Sequence, residues 1–356
     1  MEEKVLAIDW SALVMNRLYS LLSGNMPITR ASETEELRYR IGRAVYEMMD
    51  ITKPTRVHIL KDYKEDGKRD YWREDYLIEY YINNTTAYTS GMDTYIKFDN
   101  QLYMYNDGKV GHKVTKKNTP SDLIETTLTP DEIREVCPKY KGGRHAEWVF
   151  LTPKSEVMEL FNTIASEMST FLPKCRVIEA KGAEADDIAG VITRKSQVPH
   201  VLATIDGDWH QLIDDHVTIL DLGSSDLRIL DKTKKQVADE LCIKLIMGDI
   251  GDNVMGTWID GKAGRMGKVK ATKCFLEGTQ DQLNREAYAR NNKLITLNLD
   301  TIPQWVQDGI LASAKNPVQY PGEFTWSNYT LNKRELSLLS RDDKVMAQNW
   351  LETPCK

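Results

Sequence analysis

Three acidic clusters, each at a junction between secondary-structure elements, constrain the fold of this chain more than any other feature. The first, Gly182-Ala-Glu-Ala-Asp-Asp187, precedes apolar residues at helical spacing, which predicts carboxylates in the first turn of a helix. Asp206-Gly-Asp208 follows one predicted strand later, and Asp249-Ile-Gly-Asp252 follows that. One acidic first turn alone indicates a capped helix, because carboxylates complement the helix dipole. Three in succession predict a site that holds divalent metal.

Strands and helices alternate along most of the chain, which predicts an α/β fold with a mainly parallel central sheet flanked by helices. Predicted strands lie at 4–9, 56–60, 174–178, 198–205 and 217–220, and predicted helices at 11–22, 33–49, 152–172 and 232–246. Acids follow the first two strands, as Asp9 and Asp62. Ligands collect at the carboxyl ends of parallel strands, so we expect these two acids to share a crevice with the clusters.

The middle of the chain differs in character. The run 68–81 mixes basic and aromatic residues at helix-compatible spacing, which is typical either of a nucleic-acid contact or of a surface helix with an aromatic inner stripe. Residues 83–120 predict a small β-meander, an insertion that ends in Lys113, Lys116 and Lys117. Thr129-Pro-Asp-Glu132 predicts a capped helix start.

The composition shifts again after residue 246. The segment 247–275 is rich in glycine and lysine, and Gly261, Gly264 and Gly267 are spaced for a tight turn that opens a helix, whose amides can face a phosphate. A glycine-rich hinge with solvated lysines fits the same pattern. Further helices are predicted at 279–291, from about 301, and at 342–351, and the stretch 328–339 is not assigned.

Composition limits the cellular setting. The five cysteines are scattered, odd in number and without a Cys-x-x-Cys pair, which favours reduced thiols over disulfides or a zinc site. No apolar run reaches about 20 residues and the chain start lacks a signal-peptide pattern, so we expect a soluble, cytoplasmic protein. The net charge of −6 is unfavourable for nucleic-acid binding. Without the acids of the predicted metal site, however, the remaining chain is mildly basic.

Taken together, these motifs resemble the flap-endonuclease-like 5′-nuclease superfamily, and in particular its phage-type ribonuclease H and 5′-3′ exonuclease branch. The resemblance covers roughly residues 4–310, with 83–145 poorly matched. The runs that carry it are Gly182-Ala-Glu-Ala-Asp-Asp187, Thr204-Ile-Asp-Gly-Asp-Trp209, Gly248-Asp-Ile-Gly-Asp-Asn253 and, for the phage branch, Tyr71-Trp-Arg-Glu-Asp75 and Arg290-Asn-Asn-Lys-Leu-Ile295.

The resemblance implies a role for each matching residue. The first metal ion would be held by Asp9, Asp62, Glu184, Asp186 and Asp187. The second would be held by Asp206, Asp208, Asp249 and Asp252. Arg69 and Arg73 would steer the phosphate. A helix-three-turn-helix at 261–273 would grip the duplex backbone through Lys262, Gly264, Arg265, Gly267, Lys268 and Lys270.

Two departures from the family pattern stand out. Where relatives tend to carry Tyr-Lys-x-x-Arg in a helical arch, this chain has Tyr81-Ile-Asn-Asn84. The lysines of the insertion are therefore candidates to replace the missing basic residues. The turn after Asn253 is longer than usual and contains Trp258 and Asp260. That leaves open whether the potassium ion of the helix-three-turn-helix in relatives binds here.

The implied activity is hydrolysis of phosphodiesters near 5′ ends. All-carboxylate ligation points to Mg²⁺ or Mn²⁺, with two ions about 4 Å apart. Expected substrates are duplex ends, flaps and RNA·DNA hybrids in replication or repair, of a phage in our interpretation. The expected protein is a monomer that works with a single-strand-binding protein. The expected domains are a PIN-like catalytic domain at 1–246 with an arch and insertion at about 63–145, a DNA-binding region at 247–330 and a tail at 331–356.

Two other classes of protein fit parts of the pattern. Asp206-x-Asp208 suits a Mg²⁺-dependent phosphatase, but that mechanism needs a nucleophilic Asp-x-Asp on the first strand, and here Trp10-Ser11 follow Asp9. A catalytically silent binder of DNA structures would keep the fold. The complete acid set disfavours it, because clustered carboxylates without metal repel one another.

Overall fold

The computed structural model describes residues 3–21, 30–65, 68–106, 108–142, 148–172, 174–223, 227–260, 262 and 264–315. The predicted terminal helix at 342–351, the unassigned stretch at 328–339 and the tail at 331–356 lie outside these residues, as do Gly261 and Cys355. The other four cysteines are free thiols. No helix in these ranges is both long and apolar enough to cross a membrane.

Strands and helices alternate along much of the chain, as predicted. In chain order the strands are β1 (Val5–Asp9), β2 (Arg56–Leu60), β3 (Lys64–Glu65), β4 (Lys68–Arg69), β5 (Thr86–Ser90), β6 (Asp93–Phe98), β7 (Gln101–Asn106), β8 (Lys109–Lys113), β9 (Ile124–Thr126), β10 (Cys175–Ile178), β11 (His200–Thr204), β12 (Val217–Asp221) and β13 (Arg228–Ile229).

The helices complete the pattern. They are α1 (Trp10–Ser20), α2 (Arg30–Thr52), α3 (Trp72–Asn84), α4 (Pro130–Val136), α5 (Lys154–Phe171), α6 (Ala185–Lys195), α7 (Lys234–Met247), α8 (Lys268–Leu276), α9 (Arg285–Ile295) and α10 (Gln304–Lys315). Short 3₁₀ turns lie at Lys116–Asn118, Gly207–Leu212 and Gln280–Gln282.

The chain divides into two compact units. The first unit contains the described parts of 1–68, 147–232 and 304–356, and the second contains those of 69–146 and 233–303. The sequence predicted continuous domains with a boundary at residue 246. In the structure, the predicted insertion instead belongs to the same unit as the glycine-rich segment. The functional domains assigned from the sequence remain a prediction.

The first unit is built on a six-stranded sheet of order β10-β2-β1-β11-β12-β13, parallel except for β13. The predicted mainly parallel sheet is therefore confirmed. Every residue of β1 and β11 is buried, as expected for strands covered on both faces. Side chains of α1, α2 and α5 pack into the main core, among them Leu13, Ile41 and Ile164. Because β2, β1 and β11 are adjacent and parallel, their carboxyl ends lie at one edge of the sheet.

The second unit contains a five-stranded antiparallel sheet of order β8-β7-β6-β5-β9. The predicted meander is present, but the sequence interpretation missed β5 and β9. The β6–β7 turn consists of Asp99 and Asn100, both at positive φ, as a two-residue hairpin turn requires. Ile96 and Phe98 pack with Tyr81 of α3 and Ile133 of α4. The predicted capping box at Thr129 is also present.

Two helix predictions were wrong in position. The run 68–81 does not form one helix: residues 68–69 are β4, and α3 begins at Trp72 and continues to Asn84. The helix expected at 279–291 begins only at Arg285, because Asn284 accepts a hydrogen bond from the backbone N–H of Ala287 and caps the helix there. The preceding residues 280–282 form a 3₁₀ turn.

Candidate functional site

Asp9 ends β1 and caps α1. One of its carboxylate oxygens accepts a hydrogen bond from the Ala12 backbone N–H at 3.0 Å, and the other accepts one from the Thr204 hydroxyl at 2.8 Å. The Thr204 hydroxyl in turn accepts the Asp206 backbone N–H at 2.9 Å. Thr204 therefore bridges the ends of β1 and β11, and it fixes Asp9 beside the loop that carries Asp206.

Asp62 connects the end of β2 to the first cluster. It accepts a hydrogen bond from the Ser11 hydroxyl at 3.1 Å and another from the Ala185 backbone N–H at 2.9 Å. Ala185 is the first residue of α6, so the carboxylate of Asp62 lies against the positive end of that helix. Asp62 therefore contacts the residue that lies between Glu184 and Asp186 in the sequence.

The first cluster forms the N-terminus of α6, as predicted. Glu184 is the cap residue, and its backbone N–H donates to the Asp187 carboxylate at 3.0 Å. Glu184 and Asp187 are both buried. The Asp186 carboxylate accepts the indole N–H of Trp209 at 2.6 Å, and Trp209 is fully buried. The indole therefore links the first cluster to the second.

The second cluster begins a 3₁₀ turn. The Asp206 carboxylate accepts the backbone N–H of Asp208 at 2.9 Å. Asp206 and Asp208 are partly exposed, in contrast to Glu184 and Asp187. Seven predicted acids thus lie at the carboxyl ends of β2, β1 and β11 and the N-terminus of α6: Asp9, Asp62, Glu184, Asp186, Asp187, Asp206 and Asp208.

The electrostatics of this edge are those of a carboxylate cluster. Burial, together with the charges of Asp62 and Asp206, raises the pKa of Asp9 to about 7, against the hydrogen bonds from Ala12 and Thr204, which lower it. Such mutual repulsion favours the binding of a cation. The donor set contains only hard oxygen ligands, which fit Mg²⁺ or Mn²⁺.

Within the described ranges, no group of three or more Asp, Glu, His or Cys side chains is arranged to hold a metal ion by itself. Mg²⁺ usually keeps several waters and takes only one or two protein carboxylates directly. Asp9 interacts electrostatically with Asp62 and with Asp206, and such pairs of acids suit this mode of binding. The residues present therefore fit such an ion.

The loop before α6 is fixed by a close aromatic contact. Gly182 has φ +73°, and a Cβ at this position would lie 2.3 Å from the Trp305 ring of α10. Trp305 is 54% exposed. The backbone therefore approaches the indole closely two residues before Glu184, which only glycine permits.

Asp249 and Asp252 belong to the second unit, where each carboxylate is paired with a lysine. The Lys244 ammonium lies 2.7 Å from the Asp249 carboxylate, and the Lys141 ammonium lies 3.6 Å from that of Asp252. Asp252 also accepts the Tyr140 hydroxyl at 2.9 Å. Burial acts to raise the pKa of Asp249, but the Lys244 charge and the local hydrogen bonds outweigh it and lower that pKa. The metal role implied for these two acids remains a prediction.

The structure places two of the predicted phosphate-contacting arginines in structural positions. Arg73 is 1% exposed, donates to the Leu294 carbonyl at 2.8 Å and stacks on the Trp72 ring at 4.7 Å. Arg265 donates to Gln101 and Tyr103, at 2.7 and 2.9 Å. Both guanidinium groups thus make contacts within the second unit, and the phosphate contacts implied for Arg73 and Arg265 remain a prediction. The Arg69 side chain lies outside the described part of the structure.

The rest of the predicted phosphate-binding segment is exposed. Lys262, Lys268 and Lys270 are exposed, and Gly267 is the N-cap of α8, as expected for a turn that opens a helix. Gly264, at φ +88°, lies on the same segment. An exposed helix N-terminus with flanking lysines is a favourable place for a phosphate.

The sequence interpretation missed the residues that assemble the site. Thr204, Ser11 and Trp209 each bond an acid of the cluster. The feature of the sequence that could have indicated these residues is their position, because each lies within two residues of an acid at an element junction. Thr204 and Trp209 are also the first and last residues of one of the runs that carry the family resemblance.

Comparison with known proteins gives a family match over part of the chain. The family described as the 5′-3′ exonuclease, N-terminal resolvase-like domain, matches residues 105–241. The chain is 27% identical over 132 residues to the flap endonuclease of Escherichia phage T5, which covers 34% of this chain and 45% of that protein. It is 36% identical over 146 residues to DNA polymerase I of Pseudomonas aeruginosa, which covers 39% of this chain and 15% of that protein. The chain therefore spans less than half the length of each of these relatives.

Among solved structures, the chain is similar to the bacteriophage T5 flap endonuclease in a complex with DNA and metal ions. The sequence identity is 16% and the TM-score is 0.49, with 88% of this chain and 100% of that chain covered.

Proposed function

We propose that this chain, for which the comparisons support membership of the flap-endonuclease-like 5′-nuclease superfamily, is a divalent-metal-dependent 5′-nuclease. Its reaction is hydrolysis of a phosphodiester near a 5′ end, leaving a 5′-phosphate and a 3′-hydroxyl. The proposed substrates are duplex ends, flaps and RNA·DNA hybrids. Membership of the phage-type ribonuclease H branch, a role in phage replication or repair, a single-strand-binding partner and a monomeric state belong to the same proposal.

The observation that carries the proposal is the convergence of acids from separate parts of the chain. Asp9 ends β1, Asp62 and Asp206 follow the adjacent parallel strands β2 and β11, and Asp186 lies in the first turn of α6, whose first residue donates to Asp62. Burial and like charges raise the pKa of Asp9 to about 7, a perturbation of the kind that clusters at functional sites. The family match over residues 105–241, which include Asp186 and Asp206, supports the proposal of a nuclease.

The residues of the first unit hold the acids in fixed directions. Ala12 and Thr204 each bond a different oxygen of Asp9, while Ser11 and Ala185 each bond a different oxygen of Asp62. Every oxygen keeps a further lone pair for a ligand. We propose that these acids, with Glu184, Asp186, Asp187, Asp206 and Asp208, hold two Mg²⁺ or Mn²⁺ ions. Such ions supply positive charge that lowers the pKa of an attacking water and stabilises the leaving oxygen.

DNA would be held by the second unit. Lys262, Lys268 and Lys270 are exposed around the N-terminus of α8, where backbone amides and ammonium groups suit a phosphate. Residues 247–330 are our proposed DNA-binding region, and residues 1–246 our proposed catalytic domain with its insertion. Asp249 and Asp252 as ligands, Arg69 as a phosphate contact and a potassium ion near Gly264 are further parts of the proposal.

The test is cleavage of 5′-labelled flap, nicked-duplex and RNA·DNA substrates in Mg²⁺ by the parent and by Asp186→Asn. Asparagine keeps an oxygen for the Trp209 indole but removes the charge. We expect the variant to cleave about 100-fold more slowly or worse, equivalent to about 2.7 kcal/mol of transition-state stabilisation.

Asp231→Asn is the matched control, since Asp231 is exposed in the first unit and outside the cluster. It is expected to cleave at the parental rate. Equal cleavage by Asp186→Asn and the parent would remove the site assignment. If the parent cleaves none of the substrates, a catalytically silent DNA-structure binder becomes the better interpretation.

A further inference from the structure

A cavity of about 650 Å³ lies between α1 and α2 in the first unit. Arg17 and Ser20 of α1 line one side, and a polar stripe of α2 lines the other. The stripe recurs every three or four residues, and its members include Tyr39, Arg40, Arg43 and Tyr46. The apolar stripe of the same helix, with Leu37, Ile41 and Val45, packs into the core instead. The cavity therefore has a wall of arginine, tyrosine and acidic side chains, the acids being Glu36, Glu47 and Asp50, on top of a packed support.

Most charges in this wall are already compensated. Arg40 pairs with Glu36 at 2.7 Å, and its guanidinium also donates to the Ser20 hydroxyl and carbonyl. Arg43 pairs with Glu47 at 2.8 Å. The remaining lining acid, Asp50, contacts Lys53. The contact between Arg40 and Ser20 holds α1 and α2 at a fixed separation across the cavity.

Arg17 is the exception. Its Nε is buried and lacks a hydrogen-bond partner among the described residues. No ion pair of Arg17 is found there either. Burial lowers the pKa of Arg17; the Glu47 charge opposes this, and the neighbouring Arg40 and Arg43 charges lower it further. A buried donor without a partner is costly, so an anion that accepts from the Arg17 guanidinium would relieve both the unmet bond and the repulsion between cations.

The size and lining of the cavity indicate which anion. Pockets for small organic ligands usually measure about 300–1,000 Å³. Tyr39 and Tyr46 are two turns apart on one face of α2, so an aromatic surface adjoins the guanidinium groups. Arginine forks bind phosphate through paired hydrogen bonds, and tyrosine rings stack on nucleobases.

We infer that this cavity is a nucleotide-binding site in which Arg17 binds the phosphate and Tyr39 and Tyr46 contact the base. It is separate from the carboxylate cluster, because Arg17 lies eight residues beyond Asp9, about 12 Å along α1 at 1.5 Å per residue. The ligand is either a free nucleoside monophosphate or the phosphorylated end of a strand, which share this chemistry. The inference goes beyond the proposed nuclease activity and does not depend on it.

Calorimetric titration of the full chain in EDTA tests the inference. The ligands are 5′-dTMP, thymidine, inorganic phosphate and a short 5′-phosphorylated oligodeoxynucleotide. We expect 5′-dTMP to bind more tightly than thymidine or inorganic phosphate. Arg17→Gln should weaken its binding by about tenfold or more, and Arg17→Lys should recover part of it, because lysine keeps the charge but not the fork.

Two controls separate this site from others. Asp186→Asn should bind 5′-dTMP as the parent does, since EDTA removes metal from the carboxylate cluster. Arg134→Gln changes an exposed arginine of α4 and should also have no effect. If the oligonucleotide binds more tightly than 5′-dTMP and Arg17→Gln removes that difference, a strand end is the ligand. If 5′-dTMP binds more tightly, or if Arg17→Gln leaves oligonucleotide binding unchanged, the ligand is a free nucleotide.

Four results would overturn the inference. These are no binding of 5′-dTMP to the parent, unchanged binding to a folded Arg17→Gln variant, equal binding of thymidine, and equal binding of inorganic phosphate. Any of the first three results would show that Arg17 does not anchor a nucleotide phosphate. The fourth would show that the tyrosines do not contact a base. Melting curves of each variant establish that it is folded.

Discussion

Asp99→Asn is expected to destabilise the second unit by about 3–5 kcal/mol, because it leaves a buried arginine without its counter-charge. Asp99 and Arg290 form an ion pair in which both side chains are fully buried. The Tyr81 hydroxyl donates to the other oxygen of Asp99, and Arg290 also donates to the Met255 carbonyl. Asp99 thus bonds the hairpin turn to α3 directly and to the glycine-rich segment through Arg290 of α9.

Asparagine is the informative substitution at this position. Asp99 has φ +45°, a conformation that asparagine tolerates better than alanine does, so Asp99→Asn tests the charge with little effect on the turn. The measurement is urea unfolding followed by circular dichroism, with hydrogen exchange of peptides from 86–106 to assign the loss to the second unit.

The control is Asp93→Asn, at an exposed acid that begins β6, the strand that leads into this turn; it should change stability by less than about 0.5 kcal/mol. Combining Asp99→Asn with Arg290→Gln should cost less than the sum of the single changes, because no unpaired charge is left. A loss below about 0.5 kcal/mol for Asp99→Asn alone would show that the pair does not stabilise the unit.

His58→Leu is expected to flatten the pH dependence of stability on the acid side of neutrality. His58 lies on β2, is 7% exposed, and neither ring nitrogen has a hydrogen-bond partner among the described residues. Burial, together with the charges of His200, Arg176 and Arg56, lowers its pKa to about 3. In the unfolded chain a histidine has a pKa of about 6.5.

The direction of the effect follows from these two pKa values. Above about pH 6.5 the His58 ring is neutral in both the native and the unfolded state, so its protonation does not change the free energy of unfolding. Between about pH 6.5 and pH 3 the unfolded chain binds a proton that the native state does not, so stability falls by about 1.4 kcal/mol per pH unit. At pH 5 His58 alone therefore lowers the free energy of unfolding by about 2 kcal/mol relative to pH 7.

Urea unfolding at pH 7 and pH 5 measures this difference. The parent should lose about 2 kcal/mol more than His58→Leu between the two values, whereas His216→Leu, at an exposed histidine, should follow the parent. Parallel curves for the parent and His58→Leu would contradict the assignment of a depressed pKa to His58.

The sequence was sufficient for the parts of the fold where local pattern and tertiary environment agree. The apolar runs of β1, β2 and β11 are buried on both faces, and the acids after them could be read directly from the sequence. The capping residues Thr129 and Glu184 also marked the starts of α4 and α6, since side-chain oxygens there satisfy free backbone amides.

The parts that the sequence did not reveal depend on contacts between distant residues. Strand β5 is rich in threonine and serine and β9 has only three residues. They are recognised only through pairing, of β5 with β6 and of β9 with β5. Arg73 and Arg265 were assigned phosphate contacts from the family resemblance, which says nothing about their partners within the chain. Leu294, Gln101 and Tyr103 supply the acceptors that bury or hold them, and nothing near the arginines in sequence indicates those partners.

The proposed activity requires metal binding by the acids at the carboxyl ends of β2, β1 and β11. Titration of the full chain with Mn²⁺, followed by electron paramagnetic resonance of the free ion, measures this directly. We predict saturable binding of two ions by the parent, weakened about tenfold or more by Asp9→Asn and by Asp186→Asn, but not by Asp231→Asn. Absence of saturable binding, or binding that neither substitution in the cluster changes, would contradict it.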